Sequence, residues 1–224
     1  MNFKQFCSDI LILSDRDKAR HMSAYMRDQF DFIGILANKR REVSAKHFEQ
    51  GRQEEDVDWD FVTACWEQNF REFQYVAIDY LFEVHDKLKA EDIERIEALI
   101  TDKSWWDTVD GLQKIVGYLV TIHPELKKTI RRWSKSENIW LRRSAIIHQL
   151  HFKATTDTDM LSEIIEENLG TNEYFINKAI GWSLREYSKT DPDWVVDFVR
   201  EHRDSLSKVS VNEALRYIED KDID

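Results

Sequence analysis

The sequence predicts an all-α fold, an α-solenoid of stacked antiparallel helical hairpins, and three observations carry that expectation. Six glycines and two prolines in 224 residues are too few punctuators for a sheet protein with many tight turns, whereas Leu, Ile, Glu, Lys, Arg and Ala are plentiful. No segment alternates with the period of a strand; apolar residues recur at helical spacing instead. Sliding the chain against itself by 34 residues aligns REFQYVAIDYLF, WWDTVDGLQKIV, WLRRSAIIHQL and YFINKAIGWSL. Small residues then fall at Ala77, Gly111, Ala145 and Ala179, each followed by an aliphatic at Ile78, Leu112, Ile146 and Ile180. Phe82, Val116, Leu150 and Leu184 form a third column, and the one before it is broken, Leu81 and Ile115 giving way to Gln149 and Ser183. Small residues let neighbouring helices approach and apolar ones fill the seam, which is how a solenoid builds a continuous core.

Taken in order, the first helix is expected over Phe3 to Leu13, and a second, capped by Asp15 or Asp17, runs on to Phe30. The turn FIGILANK leads into RREVSAKHFEQ, and GRQEED reads as a polar loop. WDFVTACWEQN and REFQYVAIDYLFEVHDKL form the next pair, and EDIERIEALITDK leads to Ser104-Trp-Trp-Asp-Thr-Val-Asp110, which opens a long helix. There Ser104 suits the N-cap, and Asp107, three residues on, can face the free amides of the first turn. Asp110 caps nothing. It stands four residues after Trp106 and four before Lys114, so the three share one helical stripe, and the plain alternative for Asp110 is an ion pair with Lys114 or an arginine of the next repeat. We expect one domain over residues 1–224.

Charge and cysteine usage narrow the function classes. The net charge of −11 argues against a nucleic-acid partner as an average, but the acid is concentrated in residues 54–58, 163–167 and the tail 219–224. The segment Pro124 to Lys153 holds eight Lys or Arg against two Glu, a basic strip on an acidic chain. Cys7 and Cys65 form no CxxC pair, and neither a disulfide framework nor a zinc cage is expected. His148 and His151 are spaced to share a metal but have no third ligand, so no metal is expected; no phosphate-cradling glycine loop, GxSxG or HExxH motif occurs, so no cofactor is expected either. The chain shows neither a secretory leader nor a run of 18 apolar residues, pointing to a soluble cytoplasmic protein with no membrane partner.

The 34-residue register also defines a mixed column. Trp106, Asp110 and Lys114 correspond to Trp140, Ser144 and His148 and to Tyr174, Lys178 and Trp182, with Arg142 and Arg143 one or two steps off the stripe. Aromatics mixed with cations and one acid suit a ligand with flat rings and negative charge, and solenoids commonly bind on the surface such columns line.

SWWDTVD, NIWLRRSAI and FINKAIGWSLREYSKT, together with the N-terminal AYMRDQFDFIGI, resemble the bacterial DNA alkylation-repair glycosylases of the AlkD family, which are built from HEAT-like helical repeats. The resemblance spans roughly residues 20 to 200. It implies that Asp110 is the catalytic acid, that Trp106, Trp182 and Tyr25 contact the damaged nucleotide, and that Arg143, with Arg185 as a further candidate, contacts the DNA backbone. It implies double-stranded DNA carrying alkylated bases as the partner, recognised while the lesion stays stacked, and association with the nucleoid through DNA; a monomer is expected separately, because solenoid repeats with capped ends are usually monomers. The chain departs from the family pattern at Asn38, where a proline is common, and at His148, where an aromatic is. The activity implied is hydrolysis of the N-glycosidic bond of cationic N3- or N7-alkylated purines. Two rivals remain open from the residues themselves: a DNA-binding solenoid without activity, and a protein-binding scaffold, against which the missing tetratricopeptide tryptophan, glycine and proline positions count.

Overall fold

The computed structural model describes residues 1–218; the acidic tail 219–224 lies outside the described residues. Thirteen α-helices account for the described fold: α1 Phe3–Leu11, α2 Arg16–Tyr25, α3 Ala37–Gln53, α4 Trp59–Trp66, α5 Arg71–Glu83, α6 Asp92–Thr101, α7 Trp106–Ile122, α8 Lys127–Ser134, α9 Ile139–Ile147, α10 Thr158–Glu166, α11 Tyr174–Ser188, α12 Pro192–Glu201 and α13 Lys208–Ala214. No strand occurs among the described residues, only an isolated bridge between Asp31 and Phe70. None of these helices is long and apolar enough to cross a membrane.

Helix starts follow the local chemistry. Asn2, Asp15, Asp58, Asn138, Asp157, Asp191 and Ser207 each accept a backbone N–H in the first turn of the helix they precede. The second helix ends at Tyr25, short of the expected Phe30, because Arg27 and Asp28 both take left-handed backbone angles, φ 57° and 54°, and turn the chain away. The third begins earlier and runs longer than expected, so that GRQ is helical rather than loop.

The chain divides into two compact units, Met1–Lys89 and a second from Ala90 onward. In the first, α1 packs on α3, and α3 and α4 pack on α5. Its core is aromatic: Phe6, Phe61, Phe73 and Tyr80 are all but fully buried, and Phe61 meets the Phe6 and Tyr80 rings edge-on, centroids 5.5 Å apart in both pairs. The turn before α3 is pinned from below by Glu72, whose buried carboxylate accepts the amides of Ile33, Gly34 and Ile35 at 2.9, 2.8 and 3.1 Å. Gly34 can turn there because it has no Cβ: its φ is +93°, and a methyl group would collide with the Asp15 carbonyl.

In the second unit each odd-numbered helix from α7 packs on the next, α7 on α9, α9 on α11 and α11 on α13, while α6, α8, α10 and α12 pack against that row. This alternation is the α-solenoid arrangement. The repeat columns map onto it with two exceptions. Ile78, Leu112, Ile146 and Ile180 are all buried, as are Ala77, Ala145 and Ala179, but Gly111 is exposed, and Phe82 is half exposed where Val116, Leu150 and Leu184 are inside. The column that the sequence shows as broken is buried throughout, because Gln149 and Ser183 satisfy their polar atoms on backbone: Gln149 exchanges two hydrogen bonds with the Asp157 main chain, and the Ser183 hydroxyl donates to the Ile146 carbonyl.

Candidate functional site

Helix α7 begins at Trp106 with Trp105 at the cap position, and no side chain caps it. Ser104 does not take the expected N-cap role: its hydroxyl donates to the Ile100 carbonyl at 2.7 Å, closing the end of α6 instead. The reason is local, since Lys103 adopts φ 48° and turns the chain sharply between the two helices. Val109, Leu112, Val116 and Leu119 bury one face of α7 completely, which leaves Asp110 at the margin of that face with 16% of its side chain exposed.

Asp110 is held by Arg143 of α9. The Arg143 Nε and Nη2 donate to the two carboxylate oxygens at 2.7 Å each, a parallel two-point grip, and Nη1 donates to the Phe175 carbonyl in the first turn of α11, also at 2.7 Å. One guanidinium thereby ties three successive helices of the row together. Its side chain is only 4% exposed. Burial pushes the Asp110 carboxyl above the usual carboxylate range; Arg143 opposes this without cancelling it, and Asp107 adds a small push in the same direction as burial. A hydrogen-bonded carboxylate oxygen keeps a second lone pair, so the exposed edge of Asp110 can still accept a water proton.

The expected column is not one continuous surface. On α9 it turns inward: Ser144 and His148 are each 1% exposed, and Arg143, one residue away, faces Asp110 in their place. Helix α9 is packed by α6, α7, α8, α10 and α11 together, so almost every side of it is interior. His148 is consequently a core residue. Its Nδ1–H donates to the Ala145 carbonyl at 2.6 Å, burial lowers its pKa to about 4, and it helps line a cavity of about 200 Å³ with Val120, Phe152 and Asp157.

Aromatic residues gather where α11 meets Arg143. Trp105, Trp140 and Phe175 form a closed triangle with ring centroids 5.7, 5.2 and 5.0 Å apart, and Tyr174 stands edge-on to Phe175 at 5.6 Å. All three members are partly exposed. Neither Trp105 nor Phe175 stands out in the sequence, apart from the doubling of Trp105 with Trp106, because the triangle is assembled from three helices. Trp106 is partly exposed one turn ahead of Asp110 on the same stripe, and Trp182 is partly exposed two turns beyond Phe175, which returns it to nearly the same side of α11. Tyr25 belongs to the first unit, where it ends α2 with 72% of its surface exposed.

The two arginines expected on the DNA backbone are both committed within the protein. Arg143 is enclosed as described. Arg185 ion-pairs with Glu213 of α13, and that same carboxylate, through its other oxygen, binds Lys178. Among the described residues no group of three or more His, Cys, Asp or Glu is placed to hold a metal.

Comparison with known proteins agrees with this architecture. A solved structure described as a predicted DNA alkylation repair enzyme from Enterococcus faecalis is 35% identical, superposes with a TM-score of 0.86, and is matched over 92% of this chain and 97% of its own. No curated protein sequence matches the chain. The family model for DNA alkylation repair enzymes matches residues 10–218, so the chain belongs to the DNA alkylation repair enzyme family.

Proposed function

We propose that the protein is a DNA N-glycosylase of base-excision repair that removes positively charged N3- and N7-alkylated purines, such as 3-methyladenine and 7-methylguanine, from double-stranded DNA. The observation that carries this reading is the pairing of one partly exposed carboxylate, Asp110, with a buried guanidinium that fixes both of its oxygens. An alkylated purine of this kind already bears a positive charge, so its bond to the sugar breaks with little need of protonation. The electron pair of that bond returns to the base, which leaves neutral, and the positive charge passes to the sugar. Asp110 supplies a fixed negative charge to meet it and accepts a hydrogen bond from the water whose oxygen joins the sugar carbon; the surplus proton passes to solvent. Preorganised charge of this sort contributes most where its orientation costs nothing during the reaction.

Trp106 and Trp182 offer indole faces that favour a cationic ring or the polarised C–H groups of its sugar, worth about 0.5 to 2 kcal/mol per contact. Tyr25 is a third aromatic proposed to contact the damaged nucleotide. Arg143 has its role here through Asp110, as a positioning residue, more than through a phosphate, because three of its N–H groups are spent inside the protein. The protein acts as a monomer in the cytoplasm, reaching the nucleoid through DNA.

Release of free methylated base from methylated duplex DNA tests the assignment. Asp110→Asn is expected to lower the rate by about 100-fold or more while duplex binding persists. Equal rates in the two proteins would remove Asp110 from the chemistry, and no release by the native chain would reject the glycosylase assignment altogether.

A further inference from the structure

We infer that Glu213 acts as a built-in competitor for DNA phosphate: its carboxylate occupies the anion position between Lys178 and Arg185 and sets how tightly the protein holds duplex DNA. This rests on the reading of the chain as a DNA-binding repair enzyme and concerns affinity at that same site.

The geometry is specific. Lys178 lies four residues before Trp182 on α11 and Arg185 three residues after, so the two cations flank that tryptophan on one side of the helix. One oxygen of Glu213 accepts from Lys178 Nζ and the other from Arg185 Nη1; Arg216 Nη1 comes to 3.6 Å of the Arg185-bound oxygen. The Glu213 side chain is 9% exposed, Arg185 17% and Lys178 40%, so the acid lies beneath and the lysine reaches the surface. Exposed carboxylates spread over a surface would be screened by salt; one fixed between two cations offsets one of their two charges whatever the salt, and Glu186, with an oxygen 3.5 Å from Arg185 Nε, offsets part of the other.

Packing keeps Glu213 in place. Gly181, between Lys178 and Arg185, has no side chain, and a methyl group there would stand 2.7 Å from the Glu213 Cβ and 3.0 Å from the Ser210 Cα. The Ser210 hydroxyl donates to the Asn177 carbonyl at 2.8 Å, a second tie from α13 to α11. The close approach that glycine permits puts the carboxylate against the helix where a phosphate oxygen would otherwise meet the same two cations. Each phosphate contact made by a Lys or Arg steepens the salt dependence of DNA binding by about one unit of log K against log salt. Lys178 and Arg185 therefore contribute little to that slope while Glu213 is charged.

The test is duplex binding by fluorescence anisotropy over a series of KCl concentrations, with urea unfolding of each variant alongside. Glu213→Gln is expected to bind several-fold more tightly at low salt and to steepen the slope by about one to two units. Lys178→Gln in the otherwise native chain should leave the slope unchanged, whereas adding Lys178→Gln to Glu213→Gln should take back about one unit. An unchanged slope in Glu213→Gln, or a loss of about one unit from Lys178→Gln alone, overturns the proposal; the second result needs only the native acid and stands if Glu213→Gln does not fold. Base release by the native chain, measured in parallel, separates the two ideas: a native chain that releases base and shows either overturning result rejects only the role of Glu213.

Discussion

Arg143 and Asp110 are 33 residues apart in the chain and meet through two hydrogen bonds of 2.7 Å, with the third arm of the guanidinium on the Phe175 carbonyl. Burying such a pair costs desolvation of both charges, and breaking it by removing one partner leaves the other uncompensated. The pair stands at the place where the proposed chemistry calls for a fixed negative charge. It also makes the ionisation of Asp110 depend on Arg143, which can be measured.

Replacing Arg143 by Gln removes the group that holds the Asp110 pKa down while burial, the larger influence, still pushes it up. The sign follows directly: the folded-state pKa of Asp110 rises further, so the pH at which the ionised form appears moves up. The acid limb of the pH–rate profile for base release should shift to higher pH, with the rate at neutral pH reduced by about tenfold or more. A limb that stays put while the salt dependence of DNA binding weakens would show Arg143 acting on phosphate and not on Asp110.

His148 links stability to pH. Its folded-state pKa is about 4 against an ordinary 6.5, so between those values the unfolded chain binds a proton that the folded chain refuses. The contribution is complete above pH 6.5 and is lost as pH falls towards 4, amounting to roughly 3 kcal/mol across the window. Urea midpoints of the native chain should fall accordingly. His148→Phe, which keeps a ring in the site without a titrating group, should flatten that part of the profile, leaving the smaller contribution of His151, whose pKa is also lowered by burial.

Gly117→Ala is a test of how closely α7 and α9 are packed. In an isolated helix this change would stabilise by about 1 kcal/mol, but here the added methyl would sit 2.6 Å from the His148 carbonyl oxygen, a backbone atom that cannot rotate away. The net effect should be destabilisation of about 1 to 3 kcal/mol, read from denaturant unfolding. A stabilised variant would mean that the two helices separate easily.

Glu72→Gln should weaken the first unit. The carboxylate collects three main-chain amides between Ile33 and Ile35; the glutamine can keep its oxygen on the Gly34 and Ile35 amides but then turns an NH2 onto the buried Ile33 amide. A loss of about 3 kcal/mol or more is expected. Hydrogen exchange would show it as faster opening of residues 33–35, and unchanged protection there would contradict the pinning role.

Helix identity and the 34-residue spacing follow from the order of residue types along the chain, and the sequence alone determined them. Asp15 caps α2 as its position predicts. The in-order motifs pointing to the repair family are likewise a property of the linear chain. Partner choice was another matter. Nothing in the spacing of Asp110 distinguishes Arg143 from Lys114, and only the approach of α9 to α7 gives the guanidinium its two-point geometry. The mixed column fails on α9 because five neighbouring helices surround it, and burial on all sides overrides the amphipathic pattern that elsewhere marks an outer face. Ser104 and Arg185 illustrate the same limit at smaller scale: a side chain with a plausible local or external partner is captured by Ile100 or Glu213 once the chain folds back and brings a nearer one within reach.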